Sequence, residues 1–140
     1  MLLKLILSFI FLTLQPDPYI GQWISVDDET GKEKSEISLY LERGKLYGRI
    51  DALLLPEDQG KMCQACKGNE KGKPIVGLVI VQGLIRDGEK WTDGTILDPA
   101  NGKRYSCNIS LMDDGNLEVR GYLGFSLLGR SQVWKPKNQH

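Results

Sequence analysis

From Tyr19 onward the chain is a succession of short apolar or alternating runs, each stopped by turn residues, and this rhythm leaves few folds open. The clearest run is Glu36 to Glu42. Ile37, Leu39 and Leu41 point one way, while Glu36, Ser38, Tyr40 and Glu42 point the other, the period of two that a half-buried strand requires. Arg43-Gly44-Lys45 then turns the chain into Leu46 to Leu54, where Leu46, Gly48, Ile50 and Ala52 share a face, so the two runs read as a hairpin. The other expected strands are Tyr19 to Val26, Ile75 to Ile85, Glu89 to Leu97, Arg104 to Met112, Leu117 to Leu123 and Arg130 to Lys135. The run from Ile75 to Ile85 is apolar throughout, as in a strand covered on both faces or a long one bent at Gly77 and Gly83. The turns between strands, such as Asp87-Gly88, Asp98-Pro99-Ala100-Asn101-Gly102 and Asp113-Asp114-Gly115-Asn116, carry residues that favour turns for backbone reasons.

Eight short antiparallel strands hide their edges best by closing on themselves. The expected fold is therefore all-β: an eight-stranded, mostly antiparallel up-and-down barrel, with a β-sandwich as the alternative. A chain of 140 residues has room for one such domain, here residues 19–140. An eight-stranded barrel is wide enough either to be filled by side chains or to hold one small ligand. Both outcomes are open at this stage, with Leu39, Ile50, Val79, Ile96, Tyr105 and Ile109 expected to face inward.

Residues 1–16 differ in kind. One cation, Lys4, precedes an apolar run from Leu5 to Leu12, and the polar exit is Pro16-Asp17-Pro18. The run fits the ~7 to 15 apolar residues of a secretory signal and falls short of the ~20 needed to span a bilayer. The expectation is a signal peptide and a periplasmic or extracellular destination, with no stable membrane span after cleavage. Eighteen Lys plus Arg balance 18 Asp plus Glu, so no net basic field draws in nucleic acid.

Two longer patterns point to a family. Gly21-x-Trp23 opens the first strand and Arg130 opens the last, which is similar to the calycin arrangement in which an amino-terminal Trp is capped by an Arg from the final strand. Trp91-x-x-Gly94-x-Ile96-x-Asp98-Pro99-x-Asn101-Gly102-Lys103-x-Tyr105-x-Cys107 and Arg120-Gly121-Tyr122-x-Gly124-x-x-x-Leu128-Gly129-Arg130-x-x-x-Trp134 resemble the bacterial domain-of-unknown-function family 2147. The likeness covers about residue 20 to the end. It implies a lipocalin-like barrel in exported bacterial proteins with no assigned activity, and a barrel-closing role for Gly21, Trp23 and Arg130.

The chemistry-bearing residues are sparse. Cys63-x-x-Cys66 lies in the long polar loop from Pro56 to Lys73 and reads as a disulfide tying that loop, with a Cys66 to Cys107 bridge as the competing pairing. Zinc would need about four ligands, and only Cys107 and the terminal His140 remain to supply them. A nucleophilic triad lacks its base for the same reason. Asp87, Asp93, Asp98, Asp113 and Asp114 lie near turns that could share one barrel end, but turn formation explains them without catalysis. The expectation is thus a non-enzymatic protein without metal or cofactor that binds a small apolar or amphipathic ligand inside the barrel. Trp91, Tyr122 and Phe125 are expected near a mouth, Tyr105 on the inner wall, and Arg120 either as a polar anchor or turned outward. The rival is a filled-core structural or interaction domain of the cell envelope that uses a Lys-rich loop such as Gly60 to Lys73 against a protein partner.

Overall fold

The computed structural model describes residues 8, 10, 16–122 and 130–137. The expected leader falls almost wholly outside them. Eight strands form one closed antiparallel barrel in which each strand pairs with its neighbours in sequence and β8 returns to β1. They are β1 (Gly21–Val26), β2 (Glu33–Glu42), β3 (Lys45–Leu53), β4 (Val79–Asp87), β5 (Lys90–Asp98), β6 (Lys103–Leu111), β7 (Leu117–Tyr122) and β8 (Arg130–Pro136). Closure leaves no free edge, the physical reason the barrel rather than a sandwich satisfies eight short strands.

Two departures from strict alternation shape the interior. Ile37 pairs with Ile50 and Glu36 with Ala52, so Asp51 is skipped and the inward phase of β3 shifts. Beyond that bulge Leu53 rather than Ala52 faces the lumen. In β4 the apolar run does not begin a strand at Ile75. Gly77 adopts φ 100° and its N–H donates to Ile50 O at 2.8 Å, which bends the chain before Val79. Gly83, at φ 69°, supplies a second irregularity as the register passes from Leu46–Leu84 to Gly48–Val81. Val79 consequently lies on an outer groove with Pro74 and Val76, not in the barrel where alternation had put it.

The two ends are built differently. At one end Tyr19 crosses beneath the barrel and is 1% exposed. Its hydroxyl donates to Glu89 O (2.5 Å) on the β4–β5 turn and accepts from Leu111 N (2.8 Å) at the end of β6. Trp23 stacks onto this plug through its indole N–H, which donates to Tyr19 O at 3.0 Å. Arg86 lays its guanidinium 5.7 Å from the Tyr19 ring centre and 5.4 Å from that of Trp91, and Asp17 holds it at 3.0 Å. Above the plug, Leu39, Leu46, Val81, Leu84, Ile109 and Leu117 fill the lumen with almost no exposure. Gly48 is part of that packing, since a Cβ there would come within 2.9 Å of Leu39 and 3.0 Å of Val81.

The expected cap of Trp23 by Arg130 is not what closes the barrel. Trp23 pairs with Pro136, six residues along β8 from Arg130, a span of ~20 Å at ~3.3 Å per residue. Arg130 instead forks onto Asp28 at the opposite end, with Nε 2.7 Å and Nη2 2.5 Å from its two carboxylate oxygens. The cation that closes the plugged end is Arg86, delivered by β4. Gly21 and Trp23 do lie at that end, where Gly21 takes φ 141° as the chain leaves the plug and enters β1.

Candidate functional site: a roofed cavity in the open half of the barrel

Opposite the plug, the lumen is hollow. A cavity of about 730 Å³ opens there. Its deep wall is apolar, formed by Ile37, Ile50, Ile80, Ile96, Val119 and Trp134 from six different strands. Tyr105 lines the wall nearer the rim, where its hydroxyl accepts from Asn101 Nδ2 at 2.8 Å. Gly121 also faces the space, and a Cβ there would meet Ile96 at 3.4 Å and Tyr105 at 3.5 Å.

The roof is the long connection between β3 and β4. Far from being loose, it is folded on itself: Cys63 N donates to Lys73 O (2.7 Å), Gly72 N to Cys63 O (2.9 Å) and Ile75 N to Lys61 O (3.0 Å). Cys63 and Cys66 form a disulfide and are buried. The alternative Cys66 to Cys107 pairing is thereby excluded, and Cys107 is a buried free thiol. Asp58, Lys61, Met62, Gln64 and Ala65 of this roof line the cavity. It is pinned to the barrel by Glu70, whose two carboxylate oxygens each accept from Arg104 Nη2 at 2.7 Å. Gly102 is the other pin. At φ 71° it lies so close to the roof that a Cβ would stand 1.9 Å from Ala65 O, which only glycine avoids.

Burial pushes the Cys107 thiol up to about 12, because a thiolate would lose its hydration inside the barrel. The expected consequence is inertness toward alkylation. With native, non-reduced protein at neutral pH, iodoacetamide should label no cysteine over hours. After denaturation alone it should label one, and after denaturation with reduction all three. Labelling of the native protein would contradict the burial.

The rim is charged but internally neutralised. Lys34 lies 3.5 Å from Asp27, Lys61 2.7 Å from Asp58, and Arg130 on Asp28 as above. Hydrogen bonds from the Thr30 and Glu29 backbone N–H groups lower the Asp27 carboxyl to about 2. The bond from Arg130 lowers that of Asp28. Folded values below the ordinary ~3.9 mean these carboxylates stabilise the fold fully above that value and lose the contribution as pH falls through their lowered values, for Asp27 about 2. Melting temperature is therefore expected to stay level from pH 7 to about pH 5 and to decline below about pH 4. In an Asp28→Asn variant the decline should be shallower, as read by thermal unfolding across pH.

Of the aromatic and cationic residues expected at a ligand site, the structure brings only some together. Tyr105 lines the cavity. Tyr122 borders it, but its ring follows the outer-face phase of β7 and its hydroxyl lies 3.4 Å from Asn108 Oδ1. Trp91 does not approach the mouth: it is the second residue of β5, at the plugged end, and is 4% exposed against Tyr19. Arg120 alternates with the inward Val119 and Gly121 and is not part of the cavity wall. Phe125 lies outside the described residues. The five aspartates do not share one end either, because Asp98 borders the cavity while Asp87, at the end of β4, and Asp113 and Asp114, on the β6–β7 turn, sit at the plugged end. Residues the sequence reading missed include Ile80, Val119, Trp134, Ser25, Ser35, Gln132 and the roof side chains. Serine at an inward strand position carries no signal distinguishable from a solvent-facing one. Among the described residues, no group of three or more His, Cys, Asp or Glu is placed so that it could hold a metal ion, and no helix is long and apolar enough to cross a membrane.

A closed eight-stranded antiparallel barrel, plugged at one end and hollow at the other, is a lipocalin-like fold. It superposes on protein HP1028 from the human pathogen Helicobacter pylori, described as belonging to the lipocalin family, with a TM-score of 0.73 over 86% of this chain and 84% of that one. At 18% identity the likeness carries the fold. Residues 21–136 match the family described as "Uncharacterized protein conserved in bacteria (DUF2147)", and the chain belongs to that family. No curated protein matches it.

Proposed function

We propose that this protein is exported and binds a small apolar or amphipathic molecule in the open half of its barrel, without catalysing a reaction on it. The observation that carries this reading is the division of the lumen. The plugged half is packed solid, whereas the other half, whose wall residues Ile37, Ile50, Ile80, Val119 and Trp134 belong to the same buried core, keeps a cavity of about 730 Å³ beneath an ordered roof. That volume falls within the ~300–1,000 Å³ typical of small-molecule sites, and apolar walls with a few polar groups are the usual lining. A filled-core structural domain would have no reason to keep the space. Export is supported by the leader pattern of residues 1–16 and by the roof's disulfide, which persists in oxidising compartments.

Native mass spectrometry of protein purified from its own cells, before and after delipidation, tests the binding. A mass difference matching a discrete small molecule is expected. Identical masses, together with failure to take up any apolar probe, would overturn the reading in favour of an interaction domain. Amino-terminal sequencing of the mature protein tests export, with retention of Met1 as the contrary result.

A further inference from the structure

One sector of the cavity wall is polar where an apolar side chain would pack as well. β2, β1 and β8 are adjacent, and at their inward positions they present Ser35, Ser25 and Gln132. Ser25 and Ser35 face each other directly in register, are 6% and 7% exposed, and place their hydroxyl oxygens 2.6 Å apart. Trp134 pairs with Ser25 on the other side, and Gln132 lies two residues nearer the rim, a diagonal neighbour of Ser25. Such diagonal pairs lie ~7–8 Å apart, within reach of one ligand group.

The hydrogen-bond inventory of this sector is incomplete. Two serine hydroxyls carry two donors, and their mutual bond uses one. The second has no acceptor among the described residues. Gln132 accepts weakly from Trp134 Nε1 at 3.4 Å through its Oε1, which leaves both amide N–H donors without a protein acceptor among the described residues. Ser25 and Ser35 are buried and Gln132 is half-buried among the cavity-lining residues, positions at which an Ile or Val side chain would present no donor. The sector therefore offers donors into the lumen at mid-depth.

The charge pattern selects the kind of acceptor that would meet them. Lys34, Lys61 and Arg130 are each engaged by a carboxylate. Asp98 adds to the lining a carboxylate with no ion pair of its own among the described residues. A ligand with a free carboxylate or phosphate would meet no unclaimed cation and would face Asp98, whereas a neutral carbonyl meets only unfilled donors. Resting on the cavity-binding reading above, we infer that the ligand is a neutral molecule with an apolar body and an uncharged acceptor, an ester, amide or ketone carbonyl. That carbonyl is held by the Ser25–Ser35 pair and Gln132, and the apolar part lies against Ile50, Ile96, Val119 and Trp134.

The test uses the full mature protein and three probes of matched length: methyl octanoate, nonane and octanoate. Each is titrated by displacement of bound Nile red and by direct calorimetry at pH 7. The ester is expected to bind at least tenfold tighter than the alkane, and octanoate to bind weakest. Ser25→Ala/Ser35→Ala replaces both partners of one hydrogen bond by apolar groups, which is close to neutral for folding. It should bring the ester down to the alkane's affinity and leave the alkane unchanged. Gln132→Leu should weaken the ester severalfold in the same selective manner. The subsite is overturned if the alkane binds as tightly as the ester, if octanoate binds tightest, or if the variants shift ester and alkane alike. Those outcomes leave cavity binding standing. Binding of none of the three, nor of Nile red, removes the cavity-binding reading itself.

Discussion

Tyr19→Ala is expected to lower the unfolding free energy by ~3–5 kcal/mol, the usual cost of truncating a fully buried aromatic side chain. The ring is 1% exposed, packs edge-to-face against Trp91 with centroids 6.5 Å apart, and lies under the Arg86 guanidinium. Its loss opens a void at the plugged end. It also strips the acceptor from Leu111 N–H and the donor from Glu89 O, so two ends of the sheet lose their tie. Urea unfolding should show the midpoint falling with little change in slope, as for a native-state loss. Tyr19→Phe separates the contributions: it keeps the ring and deletes only the bridge, at ~1–3 kcal/mol for the groups left without partners. If Tyr19→Ala costs no more than a surface substitution, the plug is not what closes the barrel.

Gly121→Leu should abolish ligand uptake while leaving the barrel folded. Gly121 faces the cavity, and a Cβ there meets Ile96 and Tyr105 at ordinary van der Waals distance, so the backbone tolerates a side chain. The remainder of a leucine must then occupy the lumen that a ligand would use. Binding of an apolar probe such as Nile red is expected to fall at least tenfold, and thermal stability to hold or rise because an apolar void is filled. Unaltered probe binding in a folded Gly121→Leu protein would place the ligand elsewhere. This variant and Tyr19→Ala probe opposite halves of one barrel, so their effects should be separable: one removes function without stability, the other stability first.

Much of the fold was legible because alternation has one interpretation once a face is buried. Ile37 and Leu39 could point only inward, with Glu36 and Ser38 outward, and eight such runs with turn signals had to remove their edges. Cys63-x-x-Cys66 was readable as a local bridge for a similar reason: with few other thiols, short spacing restricts the partner. Alternation lost its phase at the bulge around Asp51 and at Gly77 and Gly83. There an extra residue or a positive φ reverses which side chains face in, and so Leu53 was missed and Val79 misplaced. The site was legible only in part. Tyr105, Ile50 and Ile96 followed from period two, whereas Ile80, Val119 and Trp134 were not among the residues expected inside, and Trp91 and Arg130 were assigned to the wrong ends, because a strand's residues do not state at which end of the barrel they lie.

By itself, the sequence determined that this chain is built of short strands and turns, and it pointed to hairpin pairing and to a short disulfide in the longest connection. These are local matters, set by side-chain period, turn chemistry and spacing. Only the tertiary structure decided that the lumen is filled in one half and empty in the other, that Arg86 rather than Arg130 closes the plugged end, and that Ser25, Ser35 and Gln132 meet on one wall. Those outcomes depend on register and on how strands distant in sequence come to lie side by side, and no local pattern encodes which large side chains from eight strands meet at the same depth.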